Sequence, residues 1–138
     1  MRGMFPAMAT LNDDGVRALL SAPNCAVIST HNADGSILST VVWISLEDGE
    51  LAVNSAEGRR WPTNLERDPH ITALVYPADN PYEYVEIEGT ATRAEQDAVA
   101  HIDRLAQKYT GEKTFAGRPG DVRVKYVIAP TRVRYDKQ

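Results

Sequence analysis

Two runs of alternating apolar residues flank Asn32-Ala-Asp-Gly35, and no other feature constrains the chain as tightly. In the first run, residues 25–31, Ala26, Ile28 and Thr30 share one face. In the second, residues 36–46, one face carries Leu38, Val42 and Ile44, and the other carries Ser39, Val41 and Trp43. Successive side chains of a strand point to opposite sides, so a period of two is the mark of strands with distinct faces. Gly35 is free to take the positive φ that a tight reversal needs. The pair reads as an antiparallel hairpin.

The rest of the chain extends this reading. Thr10-Leu-Asn-Asp13 reads as a capping box opening a helix whose buried side holds Leu11, Val16, Leu19 and Leu20. After the turn Glu47-Asp-Gly-Glu50, Leu51–Ser55 is a short strand. Pro62 suits a first helical turn, so a short helix is expected from Trp61 to Arg67. Residues 70–77 and Tyr82–Thr92 read as strands, the second of them long. Thr92-Arg-Ala-Glu95 reads as a second capping box, opening a helix with Val99, Ile102, Ala106 and Tyr109 at helical spacing. A polar loop over 110–120 precedes a last strand marked by Val122, Val124, Tyr126 and Ile128, which continues toward Tyr135. Six strands with few helices predict a mainly β domain, a small barrel with appended helices. All 138 residues fit one such domain, with Met1–Ala9 expected as an extension.

Composition excludes several function classes. The formal net charge of −4 and only ten aromatic residues (two Trp, six Tyr, two Phe) argue against a nucleic-acid binder. No apolar run approaches a membrane span, and Met1–Ala9 lacks the apolar stretch of a signal peptide. The single cysteine, Cys25, agrees with a reducing cytoplasm, which is the expected location. His31, His70 and His101 lack metal-ligand spacing, and no metal site is expected. There is no Gly-x-Gly-x-x-Gly fingerprint, and Gly111-Glu-Lys-Thr114 lacks the Gly-Lys pair and upstream glycine of a phosphate loop.

One stretch carries chemistry. Asn54-Ser-Ala-Glu-Gly-Arg-Arg-Trp-Pro-Thr-Asn64 leaves a strand, turns at Gly58, presents Arg59 and Arg60, and enters a helix. Helix-start N–H groups lack internal partners, and guanidinium forks match phosphate oxygens. Asn54 and Ser55 add short hydrogen-bonding side chains. Two readings stand at this point, a phosphate site or a solvated Arg-Arg turn. Ser39, Val41, Trp43 and Ser45 share a second candidate surface, which suits a flat ring, a partner chain or the core. A protein without its own reactive constellation still catalyses when a cofactor brings the chemistry.

Taken in order, these segments resemble the pyridoxamine-phosphate-oxidase-like split β-barrel superfamily over roughly residues 13–135. The resemblance rests on the Ala26–Thr30 strand with its Asp34-Gly35 turn and on Val53-Asn-Ser-Ala-Glu-Gly-Arg-Arg60. Asn64-Leu-Glu-Arg-Asp-Pro69 and Tyr84-Val-Glu-Ile-Glu-Gly-Thr-Ala91 complete it. It implies a split barrel of about six strands and a homodimer with cofactor sites between subunits. Arg59 and Arg60 would hold the cofactor's phosphate tail. Ser39, Val41, Trp43, Asn54 and Ser55 would line the cofactor site, and Asn64 would support the turn or reach the tail. The family often has Lys two residues after the first arginine, where this chain has Trp61. The resemblance favours the deazaflavin coenzyme F420 over FMN and implies a reductase moving hydride to a small organic substrate. A non-catalytic flavin- or haem-binding protein is the contrasting class.

Overall fold

The computed structural model describes residues 8–138. The elements run α1 (Asp14–Ser21), β1 (Ala26–His31), β2 (Ile37–Val42), β3 (Ile44–Glu47) and β4 (Glu50–Ala56). They continue with α2 (Arg60–Arg67), β5 (His70–Val75), β6 (Glu83–Arg93), α3 (Ala98–Thr110) and β7 (Arg123–Lys137). All strands join one antiparallel sheet in the order β2-β1-β5-β6-β7-β4-β3. Of the expected extension, residues 1–7 lie outside the described residues, and the Ala9 N–H donates to the Val133 carbonyl at 3.0 Å.

Seven strands replace the expected six because the run 36–46 is cut at Trp43. Val42 ends β2 opposite Ala26 of β1, whereas Ile44 begins β3 opposite Val53 of β4. The chain thus leaves one edge of the sheet and joins the other across a single residue. Two peptide steps reach only about 7 Å, so the sheet must curl until its edges meet. Among the described residues no ladder joins β2 to β3, and the barrel is split along that seam. The alternation also fails there, because Ile44 and Ser45 are both buried.

The inward faces are those the period predicts for β1, where Ala26, Ile28 and Thr30 are buried. Ala26 and Ile28 meet Ile44, Leu51, Val53, Val75, Val85, Ile87 and Tyr126 in one apolar cluster, closed by Val16, Leu19 and Leu20 of α1. The Asn32–Ser36 reversal has Gly35 at φ 86° and a hydrogen bond from Asn32 N–H to the Ser36 carbonyl at 2.8 Å. β7 runs past Pro130, which has no N–H for the ladder, by a register shift opposite Glu88 and Gly89.

Both expected capping boxes are displaced from helix starts. Thr10 N–H and Oγ1 donate to the Asp13 carboxylate at 3.1 and 3.3 Å, which builds a turn before α1 rather than its first turn. Thr92 lies in β6, paired with Val127, and α3 starts only after Asp97. The face expected for α3 is also corrected: Val99 is 66% exposed, and His101, Ile102, Leu105 and Ala106 are the buried residues.

α3 closes the seam. Lys108 Nζ donates to the Leu20 and Ile44 carbonyls at 2.6 and 2.7 Å. Tyr109 OH donates to the Asn24 carbonyl at 2.6 Å and accepts the Ile44 N–H at 3.2 Å. The Tyr109 ring stacks on Trp43, with centroids 5.3 Å apart and planes 5° from parallel. Deeper in, the Asn54 side-chain amide donates to His101 Nδ1 at 3.1 Å, which leaves the proton on Nε2 to bond Ser45 Oγ at 2.8 Å.

Tyr109→Phe should lower stability by about 1–2 kcal/mol through the unpaired Asn24 carbonyl and Ile44 amide. Chemical denaturation measures this, with faster hydrogen exchange at Ile44 as the local sign. Burial pulls His101 down to about 4 from its ordinary 6.5. The unfolded chain therefore binds more protons than the native one between those values, and stability is full above pH 6.5 and falls as pH drops toward 4. The loss should total on the order of 3 kcal/mol, read as melting temperature against pH. His101→Gln should flatten that window and leave the carboxylate-driven loss below it.

Candidate functional site

The seam opens outward into a cleft of about 250 Å³. Its first wall is the end of β2, Thr40, Val41 and Val42, followed by Trp43. Asn54 and Ser55 of β4, then Arg59 and Trp61, also line the cleft. Ile102 and Leu105 of α3, with Phe115 and Arg123, complete the lining. Trp43 has Tyr109 parallel to one face, and the Phe115 ring meets it at 85° with centroids 6.0 Å apart. The result is an ordered aromatic wall beside a basic end.

The basic end follows from local backbone geometry. β4 stops at Ala56, and Gly58 at φ 86° lets the chain reverse within two residues into α2. Arg59 is the residue before the helix, and no side chain caps it. Pro62 in the first turn has no N–H to leave unsatisfied, whereas those of Arg60 and Trp61 remain open. The Arg59 side chain is half exposed and Arg60 is exposed, so both charges face solvent at the helix start. Trp61 turns inward, its ring 5.9 Å from Tyr126, and presents no third cation beside the two arginines.

Five of the eight residues singled out in the sequence, Val41, Trp43, Asn54, Ser55 and Arg59, come together around this cleft. Arg60 stands beside it on the first turn of α2. Ser39 lies further along β2, exposed, with its hydroxyl 3.3 Å from that of Ser29. Asn64 is buried elsewhere: its amide donates to Thr30 Oγ1 and Asn32 Oδ1 at 3.1 and 3.0 Å, tying α2 to the β1 hairpin. Asn54 lines the cleft, yet its polar atoms are already engaged. Its amide also donates to the Ala98 carbonyl at 2.8 Å, and its Oδ1 accepts from Arg123 Nε and Nη2 at 3.1 and 2.8 Å.

Arg123 is the residue that sequence reasoning missed. Its side chain is only 9% exposed, and the Phe115 ring lies 4.9 Å from the guanidinium carbon. Its Nη1 is buried with no hydrogen-bond partner. Burial, and then the charge of Arg59, pull its pKa below the ordinary arginine value. A lone arginine at a strand start carries no sequence signal that separates it from a surface charge.

A larger depression of about 540 Å³ lies on the other side of Arg123, between the 94–97 loop, α3 and β7. Of its charged lining residues, Arg93 is paired with Glu57, and Asp97 with Arg104 and Lys125. The remaining histidines, His31 and His70, flank Asp68 at 3.2 and 2.7 Å, away from the cleft. Among the described residues no group of His, Cys, Asp and Glu is placed to hold a metal ion, and no helix is long and apolar enough to cross a membrane.

Comparison with known proteins places this geometry. An F420 reductase shares the fold at a TM-score of 0.77 and 24% identity, over 88% of this chain and 98% of its own. A conserved hypothetical protein from Mycobacterium tuberculosis matches at a TM-score of 0.76 and 22% identity, over 97% of this chain and 89% of its own. A haem-binding protein from Mycobacterium smegmatis matches at a TM-score of 0.70 and 20% identity, over 88% of this chain and 52% of its own. No curated protein matches the sequence. The pyridoxamine 5'-phosphate oxidase family profile matches residues 12–137. The chain, a split barrel with an aromatic and basic cleft at its seam, belongs to the pyridoxamine 5'-phosphate oxidase family.

Proposed function

We propose that this protein is an oxidoreductase that binds the deazaflavin F420 in the seam cleft and passes hydride from it to a small organic substrate. The observation that carries this reading is the junction of a flat aromatic wall, Trp43 on Tyr109, with the uncapped start of α2 and its two arginines. A ring with a phosphate-bearing tail has that shape and charge. Arg59 and Arg60 would hold the tail, Val41 and Trp43 would border the ring, and Ser55 would offer a hydroxyl to its polar edge. Bound there, the deazaflavin would supply the hydride. The chain's own residues orient ring and substrate and exclude water, and none forms a covalent intermediate. Fixing reactants face to face supplies much of a rate enhancement.

The cleft is smaller than the roughly 300–1,000 Å³ usual for ligand pockets. A cleft of that size is in keeping with a site that one chain walls only in part. Val41 is 67% exposed at the cleft edge, and Ile37 on the same strand is 64% exposed. Both fit a second copy of the chain completing the site from the β2 side. The protein should accordingly run as a homodimer in light scattering at micromolar concentration, and a monomer there would remove the shared-site reading.

FMN on the same scaffold is the second reading, since ring and phosphate meet the same groups. The haem-binding relative raises a third. Its weakness is local: no histidine lines the cleft, and both ring nitrogens of His101 are engaged. The deciding experiment is a titration with F420 and FMN side by side, followed by consumption of reduced cofactor with candidate acceptors. F420 should bind more tightly, and preferential FMN retention through purification would reverse the assignment. Arg60→Ala should weaken cofactor binding by roughly 10- to 150-fold with the melting curve unchanged. Unchanged affinity would make the turn a solvated surface.

A further inference from the structure

We infer that Arg123 and Arg59 together form an oxyanion site in the cleft, built to take a phosphate or carboxylate group of the bound ligand. The inference rests on the cofactor reading above only for the source of that oxyanion. Neither the basic turn nor the family pattern assigns Arg123 a role.

Three observations carry it. First, the Arg123 guanidinium is positioned by the protein. Asn54 Oδ1 accepts from two of its nitrogens, and the Asn54 amide is itself anchored on His101 Nδ1 and the Ala98 carbonyl. An orienting chain of this kind preorganises a charge without neutralising it, because Asn54 and the proton-poor His101 carry none. Second, Nη1 is left buried without a hydrogen bond. An unsatisfied buried donor is costly, and such atoms are rare in native proteins. Third, Arg59 Nη2 and Arg123 Nη1 both lie 3.9 Å from one oxygen, Asp121 Oδ2. That separation is too long for a hydrogen bond. The two guanidiniums thus look onto a common space bordered by the Asp121 carboxylate, whose Oδ2 accepts the Arg118 N–H at 3.2 Å and reaches neither arginine in a hydrogen bond, and a ligand oxyanion in direct contact would satisfy Nη1. Access requires Phe115, on the segment between α3 and β7, to move from its place over the guanidinium.

Inorganic pyrophosphate is the probe. Its affinity is measured by thermal stabilisation for the wild type, Arg59→Gln and Arg123→Gln, alongside the affinities of FMN and of riboflavin, which lacks the phosphate. Arg123→Gln keeps a donor for Asn54 while removing the charge. Arg123→Gln should weaken pyrophosphate about tenfold. If FMN weakens equally and riboflavin does not, the oxyanion is the cofactor's phosphate. If both flavins bind as before while pyrophosphate weakens, the site serves a substrate oxyanion. Should the variant fail to fold, ¹⁵N resonances of the arginine side chains in the wild type decide, with that of Arg123 expected to shift on pyrophosphate addition. The inference is overturned if the wild type does not bind pyrophosphate, if a folded Arg123→Gln binds it as tightly, or if only the Arg59 resonance moves. Failure of flavin and deazaflavin to bind the wild type would instead remove the cofactor reading, whatever pyrophosphate does.

Discussion

The single residue between β2 and β3 is the constraint on which the rest of the molecule depends. Sheet edges ordinarily diverge with twist, and here two edges separated by five intervening strands are held one residue apart. Backbone connectivity therefore enforces the curl, and hydrophobic burial inside the curl stabilises it. The seam has no ladder of its own, so its backbone groups need partners from elsewhere. α3 supplies them: the Lys108 ammonium and the Tyr109 hydroxyl bind both the N–H and the carbonyl of Ile44, the first residue past the crossing. A charged donor on two carbonyls is a stronger tie than a neutral one, which suits a place where ordinary strand pairing is missing.

The same constraint creates the site. A fully closed barrel would have filled the space beside Trp43 with strand. The split leaves a cleft there, whose wall is the crossing residue and whose end is the β4 to α2 reversal. Trp43 consequently serves two masters. Its stack on Tyr109 fixes the seam, and its position in the cleft wall places the indole beside whatever binds. Packing that holds the barrel shut also holds the ligand wall flat, so rigidity of the wall follows from fold stability rather than from separate devices.

How much of this was legible in the sequence follows from which forces are local. The β1 hairpin, the short helix after Gly58 and the inward face of β1 came from turn chemistry and period-two burial, both of which act within a few residues. The seam was not legible, because Val41 and Trp43 continue the alternation and only pairing with distant β4 reveals the break. The phase of α3 was misread for a related reason. Val99 looks like a core residue and His101 like a surface one, yet His101 is satisfied by Ser45 and Asn54, which lie more than forty positions earlier in the chain. Once paired, a neutral imidazole is as buriable as a leucine. The two capping-box patterns fit their local geometry only as turn or strand, since the Thr92 backbone was already claimed by β7. Of the candidate site residues, those on the seam converged, whereas the Asn64 amide is occupied in tying α2 to the hairpin.

The polar chain Ser45, His101, Asn54, Arg123 then acquires a physical rationale. It runs from the buried start of β3 to the end of the cleft, through groups that are all hydrogen-bonded except at the last nitrogen. An apolar chain of the same volume would pack as well and would avoid burying amide and imidazole. What it could not do is hold a guanidinium at a set angle while leaving its charge unbalanced. Replacing Asn54 by a carboxylate would neutralise Arg123, and a protonated His101 would repel it, so the neutral pair is the combination that keeps the cleft end cationic. In a chain whose formal charge is −4, that local positive potential is set against the overall field. Arg59 and Arg123 share the carboxylate of Asp121 at a distance too long for a hydrogen bond to either. A buried guanidinium held at a set angle, as Arg123 is, is worth more to an arriving anion than a charge on a mobile surface side chain, and the half-exposed Arg59 adds its charge beside it.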